Sequence, residues 1–281
     1  MLAFGWVILN NYMNVVLDQL VSALDVRPVS NLLSHEQTIP ENVERLRQIT
    51  LENGHLTDPL IVDGDTNVVL DGNHRLQVLQ LIGCPFAVCQ PVTYTDPKIS
   101  VGTWLPATTN SLDDLLQQIK IRYKKIDVTT DQPADLAIRA PFVALQYSNG
   151  RPTVAALLEP GSYALAELLE VQHRIMTAFG NVSWNYIPDD HAEAYLKRGY
   201  TVLLRRPFSK MEITQSAEAH LPFPPKSTRH ILPERIIRLN MKLEWLRGDR
   251  DEALRRMRDM LIMRVYDGSV RRYDEPVIVI Y

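Results

Sequence analysis

Leu70-Asp71-Gly72-Asn73-His74-Arg75-Leu76 lies where two kinds of hydrophobic spacing meet. Before it, the short apolar runs Pro59-Leu60-Ile61-Val62 and Asn67-Val68-Val69-Leu70 flank Asp63-Gly64-Asp65, the pattern of a β-hairpin. After it, Leu76, Val78, Leu79 and Ile82 fall on one face of a short helix that Gly83 stops. Asp71 to Arg75 therefore occupies the handover from strand to helix. Backbone N–H groups at a helix start, together with the helix dipole, favour an anion there. Gly72 lets a ligand approach the backbone closely. His74 and Arg75 add donors suited to phosphate oxygens. Asp71 would repel a bare phosphate, which points to a bridging cation, Mg²⁺, with Asp71 as its ligand. Taken alone, these residues fit a polar helix cap with a solvated His-Arg pair equally well.

The whole chain narrows the classes. Its 281 residues allow two domains or one large one. Hydrophobic residues make up 46% and charged residues 22%, an ordinary globular balance. A net charge of -3 leaves no electrostatic footprint for nucleic acid, so none is expected as a partner. The two cysteines, Cys84 and Cys89, lack metal-ligand spacing and suit a reducing compartment. Met1 to Val7 is too short to span a bilayer and lacks a basic start. Neither a signal peptide nor a membrane anchor is expected, and the expected location is cytoplasmic. Met13 is an alternative start to Met1.

Strand and helix signals interleave along the chain. Val15 to Leu24 reads as a short helix running into extended chain at Asp25-Val26-Arg27-Pro28-Val29, followed by a polar loop, Ser34-His35-Glu36. Pro40 fits a first helical position, and Asn53-Gly54 ends that helix. Phe86 to Cys89 is a strand. A second unit begins near Pro106. Ser111 opens a helix bearing Leu112, Leu115, Leu116 and Ile119. Phe142 to Leu145 and Thr153 to Leu158 flank Ser148-Asn149-Gly150, a hairpin signal. Tyr163 to Phe179 is a helix, Val182 to Ile187 a strand, and Asp189-Asp190 caps a helix through Leu196. Tyr200 to Leu204 is a strand, and Ser209-Lys210-Met211-Glu212 is a capping box. Ile237, Leu239, Met241 and Leu243 alternate with polar residues, as in a strand. Asp249 to Met263 is helical, and Val277 to Ile280 is a last strand. The expected fold class is α/β or α+β in two domains, residues 1–105 and 106–281.

A second polar stretch, Pro224-Pro225-Lys226-Ser227-Thr228-Arg229-His230, places five donor-bearing side chains in a row after two stiffening prolines. Such a group suits carboxylate or phosphate, and a solvated connector fits it as well. Together with Ser34-His35-Glu36, Leu70 to Arg75, Leu81-Ile82-Gly83-Cys84 and Gly102-Thr103-Trp104, it resembles the free L-serine kinases. Their N-terminal domain is ParB/sulfiredoxin-like, matched here by residues 25–105. The resemblance covers most of the chain, with residues 106–180 matching loosely.

The resemblance implies a kinase that moves a phosphoryl group from ATP or ADP to free L-serine, with Mg²⁺, giving O-phospho-L-serine for cysteine or related biosynthesis. It makes Glu36 the catalytic base and gives the nucleotide phosphates to Asp71, Gly72, Asn73, His74 and Arg75. It gives the serine to Trp104, Ser227, Thr228, Arg229 and His230, so that the second domain completes the substrate site. Asn73 stands where the family often has histidine. Within the superfamily, sulfiredoxins need a reactive cysteine in the phosphate turn, and none is there. The alternative is a ParB-like nucleotide-binding regulatory or DNA-associated protein without kinase activity. Glu36 separates the two, because a pure nucleotide switch needs no carboxylate facing a phosphate.

Overall fold

The computed structural model describes residues 15–119, 121–126, 132–148, 150–273 and 277–280. The readings of Met1 to Val7, of Met13 and of Asn149 lie outside these residues. A mixed α/β chain divides into two compact units, and neither is continuous in sequence. The first takes the residues up to Ser100, Thr214–Pro222, and the chain from Leu232 on; the second takes Val101–Ile213 and Phe223–Ile231. Residues from Leu232 on, read from sequence as part of the second domain, thus pack with the first.

In the first unit the expected hairpin is present. Leu60–Asp63 pairs antiparallel with Val68–Asp71, with a register shift between Ile61 and Val62. Leu60–Asp63 is buried along its whole length, as an unbroken apolar run implies for a strand in mid-sheet. Its other side runs parallel to Phe86–Val92, which in turn pairs antiparallel with Asp25–Pro28. Leu33–Ser34 closes the opposite edge, parallel to Val68–Val69. The helix Pro40–Asn53 starts on its proline and stops at Gly54, whose φ of 70° only glycine adopts cheaply. The helix Asn73–Leu81 follows the turn at Gly72 and buries Leu76, Val78 and Leu79.

One apolar core joins early and late parts of the chain. Val26, Leu60, Val62, Val69, Leu76, Leu79 and Val88 pack in the same cluster as Ile236, Leu239, Met241, Leu246, Met257, Leu261 and Ile280. The late residues come from the strand Arg235–Ile237, the connecting Leu239, the short strand Met241–Lys242, the helices Leu243–Leu246 and Arg250–Tyr266, and the strand Val277–Ile280. The alternation from Ile237 to Leu243 does not make the single strand it suggests. Leu239, Met241 and Leu243 are buried as the pattern requires. Arg238 and Asn240, however, adopt φ of 58° and 54°, which breaks the strand. Their amides bond instead to Asp58 Oδ1 and to the Thr57 carbonyl, at 2.7 and 2.9 Å.

The second unit is built on a six-stranded, wholly antiparallel sheet in the order Asn185–Pro188, Trp104–Thr108, Thr201–Leu204, Phe142–Ser148, Arg151–Leu157, Tyr123–Ile126. The period-2 rule sorts its residues between two faces. Val143, Leu145, Val154, Ala156 and Val202 pack with Leu136 and Leu196 from two short helices. Phe142, Ala144, Ala155, Leu157 and Leu203 pack with Leu115, Leu116, Val171 and Ile175 from two others. Ser111 caps the helix Leu112–Gln118 by accepting the Asp114 amide. The capping box also forms: the Ser209 amide donates to Glu212 Oε2 at 2.9 Å, and the Glu212 amide to Ser209 Oγ at 3.2 Å. Among the described residues, no helix is long and apolar enough to cross a membrane.

Candidate functional site

Within the first unit, the chain leaves the strand at Asp71, turns at Gly72 with φ 106°, and enters the helix at Asn73. A Cβ on Gly72 would lie 2.9 Å from Arg75 Nε. The Arg75 guanidinium therefore folds back over the turn, and glycine makes room for it. Arg75 reaches Asp58 and Asp71, each at 3.5 Å. Arg235, from the returning segment, meets the other Asp71 oxygen at 2.6 Å. Two guanidinium groups thus offset the Asp71 carboxylate. Among the described residues, no group of three or more His, Cys, Asp or Glu is placed to hold a metal ion. A protein-built cage for Mg²⁺ does not fit this turn.

Glu36 lies half-buried just beyond the edge strand Leu33–Ser34. Ser34 Oγ is 2.8 Å from both the Glu36 carbonyl and Asn73 Oδ1. The hydroxyl shares its one proton between these two acceptors, and so brings the loop carrying Glu36 to the first residue of the helix. His35 is buried, with Nδ1 2.5 Å from the Val69 carbonyl. A carbonyl can only accept, so Nδ1 carries the proton, and the 3.4 Å approach of the Asn73 amide to it is no hydrogen bond. Burial lowers the His35 pKa to about 4, leaving the ring neutral at neutral pH. His74 Nε2 accepts the Ile39 amide at 3.1 Å, just ahead of the helix Pro40–Asn53. That nitrogen holds backbone together, where the sequence suggested a phosphate donor.

Within the second unit, a separate cluster gathers the other predicted residues. Arg205 is buried, with Nε 2.9 Å from Thr103 Oγ1 and Nη2 2.9 Å from the Trp104 carbonyl. It also donates to the Lys226 carbonyl and lies 3.4 Å from Ser227 Oγ. Ser227 is fully buried, and its hydroxyl donates to the Pro224 carbonyl at 2.7 Å, so it serves the loop itself. Thr228 and His230 are buried beside it in sequence. Lys226 Nζ and Arg229 Cζ lie 5.5 and 5.9 Å from the Trp104 ring centre, within cation–π range. Arg229 pairs with Asp189 at 3.2 Å and Asp190 at 3.0 Å. These aspartates open a 3₁₀ turn, Asp189–His191, ahead of the helix Ala192–Lys197. Their carboxylates turn to Arg229, where the sequence suggested a helix cap.

Sequence reasoning missed Arg205, Arg235, Asp58 and Asp189 as parts of these clusters. Arg205 and Arg235 sit in stretches with no local motif, and only long-range packing delivers them. Gly102 carried a signal that could be used in hindsight: a Cβ there would come within 2.7 Å of Asp189 Oδ2. Both cysteines are buried, and burial raises each thiol pKa, that of Cys89 to about 12. Neither thiol is poised for redox chemistry.

No family model matches the chain. Among curated proteins, it is 28% identical over 222 residues to an ATP-dependent L-serine kinase of Staphylothermus marinus, covering 73% of this chain and 84% of that one. It is 25% identical over 225 residues to an ADP-dependent L-serine kinase of Thermococcus kodakarensis, covering 75% and 88%. A ParB-like protein of Sulfolobus acidocaldarius is 23% identical over 227 residues, covering 80% and 96%. Among solved structures, a free serine kinase in complex with AMP, in a glutamate-to-glutamine variant, superposes with a TM-score of 0.64 at 20% identity, covering 80% of this chain and 94% of that one. SbnI from Staphylococcus aureus, truncated at its C-terminus, gives 0.66 at 21%, covering 85% and 96%. In sequence over most of its length, and in fold, the chain is similar to the free L-serine kinases.

Proposed function

We propose that this protein is a kinase that transfers a phosphoryl group from ATP or ADP to the hydroxyl of free L-serine. The observation that carries the reading is the Ser34 hydroxyl, which links the Glu36 loop to the start of the helix Asn73–Leu81. The main chain of Glu36, the residue at the kinase-like base position, is thereby held beside the turn proposed to receive phosphate. In the proposed step, the serine oxygen bonds to the terminal phosphorus and Glu36 takes the hydroxyl proton. The bond from that phosphorus to the bridging oxygen breaks, and ADP or AMP leaves. Positioning and charge neutralisation do most of the work in such transfers. Arg75, Arg235 and the helix start supply positive charge for the phosphates, and Gly72 leaves room for the Arg75 guanidinium over the turn. Mg²⁺ bound together with the nucleotide would supply further neutralisation. Thr228, Arg229, His230 and Trp104 are proposed to frame the serine, with Ser227 shaping the loop behind them.

The relatives include both an ATP-dependent and an ADP-dependent enzyme, so both donors belong in the test. The protein is incubated with L-serine, Mg²⁺ and each nucleotide separately, and phosphoserine is measured. Phosphoserine with either donor supports the reading; none with both overturns it. The similarity to a ParB-like protein favours a second reading, nucleotide binding without transfer. That reading expects nucleotide affinity in the same samples without any phosphoserine.

A further inference from the structure

We infer that Arg205 is the positioning residue that turns two distant motifs, Gly102-Thr103-Trp104 and Lys226-Ser227-Thr228-Arg229-His230, into one constellation. The inference rests on the reading of the second motif as the serine-binding segment. Burying a guanidinium is costly unless its donors are met. At Arg205 they meet Thr103 Oγ1, the carbonyls of Trp104 and Lys226, and Ser227 Oγ. Two of these oxygens are backbone, so the arginine fixes main chain as well as side chains. Thr103 Oγ1 reinforces the link by donating to the Ser227 carbonyl at 3.0 Å. Lys226 needs such a restraint, because its φ of 63° is unfavourable for a residue with a Cβ. Its Nζ and the Arg229 guanidinium both approach the Trp104 ring. The placement of the ring and of both cations therefore depends on the carbonyls that Arg205 holds. A planar fork is required here. Lysine carries a single point charge and cannot serve four oxygens spread over two segments.

The test uses full-length Arg205→Lys, Arg205→Met and Thr103→Val, with serine varied at saturating nucleotide and nucleotide varied at saturating serine. Arg205→Lys is expected to raise the serine KM roughly ten- to hundredfold, the scale on which small misplacements act. Its nucleotide KM should stay within about twofold of wild type. Arg205→Met should be worse in the same direction. Thr103→Val, which removes one acceptor, should give a smaller shift of the same kind, and it keeps the test open if the arginine variants do not fold. Thr228→Ala and His230→Ala run alongside. If these raise the serine KM and Arg205→Lys does not, the inference is overturned while the serine-binding reading stands. If all variants lose both KM values together with melting temperature, Arg205 is only structural and the inference is overturned. If Thr228→Ala and His230→Ala leave serine kinetics untouched, the segment is a connector, and both readings fall.

Discussion

At the scale of single residues, His35 and Glu36 show how adjacent side chains take different work from their burial. His35 faces the Val69 carbonyl in the interior, and burial depresses its pKa from 6.5 to about 4. The unfolded chain takes up this proton near pH 6.5 and the folded chain only near 4. Stability from this group is therefore full above about pH 6.5 and declines as pH falls through that window. The difference amounts to about 3 kcal/mol. Denaturant melts at pH 7 and pH 5 should show the decline, and His35→Gln should flatten it. A slope unchanged in the variant would assign the acid sensitivity elsewhere. Glu36, half-buried and next in sequence, keeps access to a ligand. Glu36→Gln is expected to lower phosphoserine formation by about 10²–10⁴-fold, the usual cost of losing a general base. Nucleotide binding, read by calorimetry, should persist. Turnover near wild type would remove Glu36 from the mechanism.

At the scale of elements, the strand-to-helix turn is the proposed phosphate site, and its residues differ in what they should contribute. Gly72 combines a φ of 106° with a Cβ position 3.0 Å from Arg75 Nη2. Gly72→Ala should cost about 1–3 kcal/mol in stability, from the backbone alone. It should also weaken nucleotide binding, because Arg75 must leave its place over the turn. A variant with wild-type affinity and melting temperature would show the turn to be more pliant than its geometry implies. Arg75 and His74 should separate cleanly. Arg75→Ala is expected to lose nucleotide affinity by about tenfold, the loss of one charge-assisted contact. His74→Ala should lose about 1 kcal/mol of stability, since its Nε2 receives the Ile39 amide. Calorimetry and thermal melts on the two variants decide this. Equal affinity losses in both would return His74 to the phosphate side.

At the scale of the whole molecule, the first unit depends on chain that arrives last. Ile236, Leu239, Met241, Leu246, Met257, Leu261 and Ile280 are part of the same core as the hairpin and the helix Asn73–Leu81. Arg235 brings its charge to Asp71 from that returning segment. A fragment ending at Leu105 would expose the apolar faces those residues cover. It should fail to fold cooperatively, giving no sigmoidal urea transition and binding a hydrophobic dye. A sharp transition from this fragment would show that the early residues make a self-sufficient domain.

Local chemistry determined what could be read from the sequence of this protein. The hairpin around Asp63-Gly64-Asp65, the helices begun at Pro40 and Ser111, the capping box at Ser209 and the turn at Gly72 each follow from spacing and caps within a few residues. The polar segments around Glu36, Asp71 and Ser227 were legible for the same reason. What tertiary structure decided lies in contacts that span much of the chain. The alternation from Ile237 to Leu243 specified burial correctly, yet Asp58 and Thr57 captured the backbone and broke the strand. Asp71 meets a guanidinium partner, Arg235, that stands 164 residues away. Arg205 carries no motif, and its part emerges only when Thr103, Trp104, Lys226 and Ser227 converge on its donors. Periodicity and capping are set within one or two turns of chain, whereas a buried charge finds its partners wherever the fold delivers oxygen.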